Sequence, residues 1–320
     1  MQRIRLRYTK RGRLRFTSHR DFQRAFERAL RRAEVPMAYS AGFTPHPKVS
    51  YANAAPTGTA SEAEYLEIAL TEPREPEVVR ALLDTSLPDG LDVLDAVEAR
   101  TSGFAERLAA SVWELRLPGV DPAEAERAAA AFLAAPTVEV QRRTKSGMRT
   151  FDARAAVVDL AVRPASAPAS PAVSQPSDGA VGAAGRADAT GSEGRVGPTS
   201  PVAAAPSPST GTLPDGPGDR RCAILRLVVR HVTPAVRPDD VLSGLHAVAG
   251  LAPPVTVAVT RLAQGPFHAE TGTVTDPFVP DREASAAAPG DSRRAAGLAA
   301  ARAGGASQAS RPPEAAEGPG

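Results

Sequence analysis

The residue types most suited to chemistry are concentrated between Arg13 and Tyr51. Ser18, His19 and Arg20 directly precede a helical pattern, which would place them at the first turn of a helix, where free backbone N–H groups favour an anion such as phosphate. The helix dipole disfavours a protonated imidazole at this end, so a neutral His19 could act as general base in RNA cleavage. The alternative is that His19 only hydrogen-bonds a ligand or a neighbouring loop.

An amphipathic helix is predicted to position these three residues. Ser18 stands three residues before Asp21, which resembles a capping box with Asp in place of Glu, and the helical pattern continues to about Ala33. The apolar stripe that would face the core consists of Phe22, Ala25, Phe26, Ala29, Leu30 and Ala33. A second, basic ridge on the same helix consists of Arg20, Arg24, Arg28, and Arg31 or Arg32.

The segment after the helix is predicted to be a rigid loop. Residues 41–48, AGFTPHPK, contain a glycine and two prolines and are incompatible with a regular element. Tyr39 and Phe43 could stack on nucleobases, although Phe43 could equally fill the core beneath the loop. The predicted binding residues for RNA, another anion or a partner protein are Arg13, Arg15, Ser18, His19, Arg20, Arg24, Arg28, Arg31, Arg32, Tyr39, Ser40, Gly42, Phe43, Pro45, His46, Pro47 and Lys48.

The charge distribution supports an anionic partner for the first fifty residues. They carry 13 Lys and Arg against three acids, a balance of +10, whereas the whole chain has a net charge of +2. The remaining residues therefore sum to −8. Because 35 of the 38 basic residues are arginine, part of this arginine reflects compositional bias, and its local concentration is the better evidence.

Several classes of function are not supported. Cys222 is the only cysteine, which excludes an intrachain disulfide framework or an iron–sulfur cluster built from this chain alone. The standard nucleotide-binding and hydrolase motifs are missing, and the five histidines lack metal-ligand spacing. We therefore expect no cofactor and no metal, and favour a protein without catalytic activity of its own. The N-terminus lacks the apolar region of a secretory signal and no apolar run would span a membrane, so the expected location is the cytoplasm.

The order of predicted elements favours an α+β fold made of two ferredoxin-like (βαββαβ) units in tandem. Residues 3–9 alternate as a half-buried strand, and Arg13 to Phe16 would resume that pattern, which would put Arg3, Arg5, Arg7, Arg13 and Arg15 on one exposed face. The first unit would cover residues 1–105, and the second 108–163 plus 220–263. Within the second, residues 149–163 could be helix or strand. Residues 164–219, rich in Pro, Ala, Ser and Gly, are predicted to be a disordered insertion, and residues 264–320 a disordered tail.

One further set of residues carries a family resemblance. It comprises Arg15-Phe16-x-Ser18-His19-x-Asp21, then Pro36, Tyr39-Ser40, Gly42-Phe43, Pro45-His46-Pro47, Gly58, Ser61 and Glu64, and a divergent Phe151-Asp152-Ala153-Arg154. This pattern, over residues 1–163 and 221–263, resembles a bacterial family of uncharacterised domains fused to, or encoded beside, cobalamin-binding-type radical SAM proteins. The resemblance implies a separately encoded radical SAM protein as partner and a link to RNA or the ribosome. The layout is also similar to tandem ferredoxin-like RNA endonucleases that process CRISPR transcripts.

The leading hypothesis is therefore a radical-SAM-associated accessory protein that binds tRNA, rRNA or a ribosome-related substrate through its basic N-terminal surface. One alternative is a metal-independent RNA endonuclease-like protein that uses His19. Another is a protein-docking module, without nucleic acid, whose basic ridge meets an acidic patch on its partner. The residues alone leave the three open.

Overall fold

Strand and helix signals alternate along the chain, and the computed structural model, which describes residues 1–144, 147–163 and 221–287, assembles them into a mixed α/β structure. The strands are β1 (Gln2–Lys10), β2 (Val49–Ala52), β3 (Ala60–Leu70), β4 (Val93–Glu98), β5 (Ala110–Pro118), β6 (Glu139–Thr144), β7 (Gly147–Asp152), β8 (Val157–Arg163), β9 (Cys222–Arg230), β10 (Ala258–Gly265), β11 (Phe267–His268) and β12 (Thr273–Val274). The helices are α1 (His19–Arg32), α2 (Pro76–Ser86), α3 (Phe104–Arg107), α4 (Pro122–Ala134), α5 (Pro238–Ala249) and α6 (Val279–Ala286).

One eight-stranded sheet runs through the molecule in the order β4-β1-β3-β10-β5-β9-β8, with β2 paired to β3. Neighbouring strands run antiparallel except at β3 and β10, which run parallel through Ala60 and Ser61. This parallel contact joins the N-terminal half, β1 to β4, to the C-terminal half, β5 to β10. Two hairpins, β6–β7 and β11–β12, lie outside the sheet.

Each half packs two helices, α1 and α2 or α4 and α5, on one face of the sheet around its own apolar cluster. In the N-terminal half, Ile4 and Leu6 of β1 pack with Phe26 of α1 and Leu83 of α2. In the C-terminal half, β5, β8 and β9 pack against α4 and α5, where Phe132 is fully buried. Alternation in the strands and the helical stripes determine which side chains enter these clusters. The ambiguous segment 149–163 resolves as the end of β7, a 3-10 turn at Arg154–Ala156 and strand β8.

The second strand predicted at Arg13 to Phe16 is wrong. Residues Gly12–Phe16 form a 3-10 helix, because β1 is already paired on both sides, by β3 and β4, and Gly12 turns the chain away with φ +52°. The predicted exposed face of five arginines is also absent, since Arg5 is only 3 % exposed.

The chain predicted to be a disordered tail from residue 264 is folded as far as residue 287. It contains the end of β10, the β11–β12 hairpin and α6, and it buries Phe278 and Asp281 completely. Sequence composition did not indicate this, because the anchoring residues are few and widely spaced. Residues 288–320 of the predicted tail, and the predicted insertion at 164–219, lie outside the described residues. None of the helices in the described ranges is long and apolar enough to cross a membrane.

Candidate functional site

Helix α1 begins where its sequence predicts. Ser18 is the N-cap in an extended conformation, and its Oγ accepts a hydrogen bond from the Asp21 backbone N–H at 3.2 Å and donates one to Asp21 Oδ2 at 2.7 Å. His19 and Arg20 follow as the first exposed residues of the helix. The Asp21 carboxylate also lies in this first turn and partly satisfies the positive end of the helix dipole.

The arginines of α1 differ from those of β1 in their partners. Arg3, Arg5 and Arg11 of the N-terminal strand region each form an ion pair with a carboxylate, as in the 3.2 Å contact between Arg3 and Glu67. On α1 and the 3-10 helix before it, the exposed arginines without a carboxylate partner among the described residues are Arg13, Arg20, Arg24, Arg28 and Arg31. Arg32 donates to the Ser86 carbonyl at 2.8 Å, and Arg15 donates to the Gly12 carbonyl at 2.9 Å. Helix α1 therefore presents positive charge that the described part of the chain does not pair with carboxylates.

His19 is held by aromatic contacts. Its ring meets Tyr51 of β2 edge to face, with 4.9 Å between ring centroids, and Tyr51 in turn contacts Phe22 of α1. Burial, with a smaller effect from Glu27, raises the pKa of Tyr51 above its ordinary value. Within the described part of the chain, the His19 ring has no hydrogen-bond partner. These contacts place β2, and the loop that leads into it, beside α1.

The loop from Ser40 to Lys48 is closed at its base. The Ser40 N–H donates to the His46 carbonyl at 2.9 Å, and the His46 N–H donates to Ser40 Oγ at 3.0 Å. Tyr39 and Pro47 form an isolated bridge just outside this pair. Gly42 has φ +128°, a conformation that favours glycine, so the loop tip depends on this residue.

The tip of this loop carries an unusual apolar side chain. Phe43 is fully exposed and Tyr39 is half-exposed, so the alternative that Phe43 fills the core is wrong. Tyr39 and Pro47 line a small cavity of about 210 Å³ together with Glu27 and Arg31 of α1. The structure therefore brings the base of the loop to the C-terminal end of α1.

We call the exposed residues of α1, the preceding 3-10 helix and the Tyr39–Lys48 loop the basic surface. Its predicted members are Arg13, Arg15, Ser18, His19, Arg20, Arg24, Arg28, Arg31, Arg32, Tyr39, Ser40, Gly42, Phe43, Pro45, His46, Pro47 and Lys48. The described contacts join β2 and the loop base to α1, and Arg15 packs over Phe16, whose ring is exposed and lies 4.3 Å from the guanidinium carbon. Phe16 is thus an additional exposed aromatic that sequence reasoning did not assign to the site.

A second polar cluster, at the junction of the two halves, was not predicted from the sequence. Arg261 of β10 is almost fully buried and pairs with Glu64 of β3, while its Nη1 donates to the Asn53 carbonyl at 2.7 Å. Glu64 Oε2 also accepts from the Ala55 N–H at 3.0 Å. Ser61 and Glu64 belong to the pattern that suggested the family, and here both contact Arg261. Their role in this structure is to join the two halves.

Next to this junction lies a buried lysine. Lys10, the last residue of β1, is 7 % exposed. Burial, together with the positive charge of Arg261, lowers its pKa, while Glu64 acts in the opposite direction. In the described ranges, no group of three or more His, Cys, Asp and Glu side chains is arranged to hold a metal ion.

Comparison with known proteins assigns the chain to a recognised family. The family profile described as "Uncharacterized protein conserved in bacteria" (DUF2344) matches residues 3–183, more than half of the chain. No curated protein matches the sequence. The match includes α1, the Tyr39–Lys48 loop, Ser61 and Glu64, and it ends before β9. The chain therefore belongs to the uncharacterised bacterial family DUF2344.

Proposed function

We propose that this protein binds RNA through the basic surface and serves as an accessory module for a radical SAM enzyme in the cytoplasm. The observation that carries the proposal is the set of exposed arginines on and before α1 that have no carboxylate partner among the described residues. Unneutralised guanidinium groups are suited to phosphate contacts, which supply most of the affinity in nucleic-acid binding.

The exposed aromatic side chains favour RNA over a simple anion. Phe43 and Tyr39 lie on the loop whose base contacts α1, and Phe16 lies beside Arg15. Aromatic side chains that stack on unpaired bases are typical of single-stranded RNA recognition. The Phe43 ring is fully exposed, so it is free of packing within the described structure and available to stack on a base.

The strand order supports a specific architecture for this module. The N-terminal half has the order β4-β1-β3-β2 and the C-terminal half β10-β5-β9-β8, so both correspond to fourth, first, third and second strands of a βαββαβ unit. We infer two ferredoxin-like units in tandem, with the β6–β7 hairpin inserted in the second. Fold alone does not assign function, so the RNA proposal depends on the basic surface.

A salt titration with a labelled single-stranded RNA tests the proposal. If about six arginines contact phosphate, log K should fall with log salt concentration with a slope of roughly −4. The double variant Arg24→Gln/Arg28→Gln should bind more weakly and reduce the magnitude of that slope by roughly 0.7 for each lost phosphate contact. Arg127→Gln, an exposed arginine on α4, is the matched control and should leave both quantities unchanged.

Replacing the exposed phenylalanine separates stacking from charge. Phe43→Ala should weaken RNA binding by about 1 to 3 kcal/mol while leaving the salt slope unchanged, because a base loses its stacking platform but no phosphate contact is removed. The melting temperature should not change, since the ring is fully exposed. Absence of RNA binding at low salt, or wild-type affinity in the arginine double variant, would refute the proposal.

The two alternatives are separated by further readouts. Cleavage of labelled RNA that disappears in His19→Ala would support an endonuclease. The described structure gives His19 an aromatic neighbour but no hydrogen-bonded acid or base, so we favour binding without cleavage. Co-purification with the radical SAM partner that survives nuclease treatment and requires Arg24 and Arg28 would instead support protein docking.

A further inference from the structure

A second candidate site lies in the C-terminal half and shares no residue with the basic surface. A cavity of about 730 Å³ separates the sheet from the segment that follows β10. This volume is within the range of small-molecule sites. Its floor is formed by Val112, Asp159, Ala161, Arg163, Arg226 and Val228 of strands β5, β8 and β9, and its roof by parts of residues 266–280.

The alternation of β9 explains the chemistry of the floor. Leu225 and Leu227 point into the apolar cluster beneath α4 and α5, so Arg226 and Val228 point to the opposite face of the sheet. The β11–β12 hairpin covers part of this face, because Val274 packs with Val112 and Val228. The remaining space, toward Arg163 and Arg226, is left open beneath the roof.

The two arginines in the floor lack partners among the residues that the structure describes. Neither Arg163 nor Arg226 forms a hydrogen bond or ion pair with another described residue. Partial burial lowers the pKa of Arg226, the neighbouring Arg163 charge adds to this, and Asp159 and Glu114 act in the opposite direction. The two guanidinium groups lie on adjacent strands and are partly removed from water. An anion placed between them would form charge-assisted hydrogen bonds with both.

The other residues that line the cavity indicate the chemistry of the rest of the ligand. The roof supplies hydroxyls from Thr271, Thr273 and Thr275, and Thr275 Oγ1 lies 3.1 Å from His268 Nε2. Ala161 and Val279, which are exposed, supply an apolar surface next to these polar groups. The Asp276 carboxylate is already bound by Arg282 at 2.5 Å, so it opposes an anion less than its position suggests.

We propose that this cavity binds a small organic anion with an apolar body, whose anionic group lies between Arg163 and Arg226 and whose body contacts Ala161 and Val279. The proposal does not depend on RNA binding by the basic surface, and either can fail without the other.

A pair of fluorescent probes tests both parts of the proposal on the full-length protein. 8-Anilinonaphthalene-1-sulfonate is an apolar anion, and N-phenyl-1-naphthylamine has the same ring system without the sulfonate. We expect the anionic probe to bind with one site per chain and more tightly than the neutral one. Arg226→Gln should raise the Kd of the anionic probe about tenfold and leave that of the neutral probe unchanged, because only the charge-assisted contact is lost. Arg163→Gln should act in the same direction.

Two further variants keep the test specific. Arg116→Gln, an exposed arginine of β5 that does not line the cavity, is the charge control and should bind both probes as the wild type does. Ala161→Trp should abolish binding of both probes, because the indole would fill the cavity from an exposed strand position that tolerates a large ring. Melting curves establish that each variant is folded.

Two results would contradict the proposed anion site. An anionic probe that binds Arg226→Gln and Ala161→Trp as tightly as the wild type would overturn the proposal. Displacement of the probe by a short single-stranded RNA, lost in Arg226→Gln but retained in Arg24→Gln/Arg28→Gln, would also overturn it and would assign the cavity to nucleic acid.

Discussion

At the scale of single residues, Ser18 determines where α1, the helix of the basic surface, begins. Its side chain holds the Asp21 N–H and carboxylate, so His19 and Arg20 are fixed in the first turn of α1. Ser18→Ala should lower the free energy of unfolding by about 1 kcal/mol, the typical loss for an N-cap. Chemical denaturation measures this, with Ser50→Ala at an exposed position of β2 as the control; equal effects in the two variants would contradict it.

His231 provides a pH-dependent readout of the junction between β5 and β9. Its Nε2 lies 2.7 Å from Ser111 Oγ and its Nδ1 lies 2.5 Å from the Leu108 carbonyl oxygen. Burial lowers the pKa of His231 below its ordinary value of 6.5, Arg261 acts in the same direction, and the Leu108 contact opposes them.

The sign of the resulting pH effect follows from linkage. Because the folded state disfavours the protonated ring, the His231 contribution to stability is present above pH 6.5 and is lost as the pH falls through its lower folded pKa. The free energy of unfolding should therefore fall more steeply from pH 7 to pH 5 in the wild type than in His231→Asn. Denaturation curves over this range test the difference, and His246→Asn on α5 should behave as the wild type does.

At the scale of elements, α6 depends on a single buried carboxylate. Asp281 accepts hydrogen bonds from five donors, namely Arg5 Nη1, Arg107 Nη1, Thr101 Oγ1 and the backbone N–H groups of Arg100 and Thr101. Burial by itself raises the pKa of Asp281, but the donors, Thr101 and Arg5 foremost, outweigh it and lower the pKa. This network anchors α6 to the sheet face opposite α1 and α2.

Asp281→Asn should lower the free energy of unfolding by about 3 kcal/mol, because the buried Arg5 would keep only Glu67 as a charged partner and the part-buried Arg107 would lose its carboxylate. Hydrogen exchange of residues 264–287 should rise more than that of β1. Glu283→Gln, at an exposed position of the same helix, is the control. The contribution of the Asp281 carboxylate to stability should be present above its ordinary pKa near 4 and disappear as the pH falls through the lower folded pKa. If the wild type were still more stable than Asp281→Asn at pH 1, the carboxylate would not be the source of this stability.

At the scale of the whole molecule, the two halves share one sheet through a short parallel contact and the Arg261–Glu64 pair. Arg261→Met should lower the free energy of unfolding by about 3 to 5 kcal/mol, since it leaves Glu64 charged and buried without its partner. The double variant Arg261→Met/Glu64→Gln should recover part of this loss, because no buried charge is left unpaired. A double-mutant cycle measures the coupling free energy between Arg261 and Glu64, with Arg116→Met as the exposed control. If the two single effects were strictly additive, the Arg261–Glu64 pair would not be what holds the two halves together.

The basic surface was predictable from the sequence because its main features are local. The cap of α1, the apolar stripe with its opposed basic ridge, and a loop punctuated by Gly42 and two prolines are each encoded within about ten residues. The order of strands and helices was also readable, since alternation and helical spacing are short-range signals. These signals identified which residues would be exposed on α1 but not that Phe43 would be exposed as well.

Only the tertiary structure determined which of the other charged residues are buried and which are paired. Arg3, Arg5 and Arg7 have the same alternating pattern as an exposed strand face, yet Arg5 is buried because Asp281, 276 residues away, covers it. The cavity beneath the β11–β12 hairpin likewise joins side chains from β5, β8, β9 and the segment after β10. Local sequence determined the helix that carries the basic surface, whereas burial and charge pairing depended on contacts between segments far apart in the chain, which periodicity and composition do not encode.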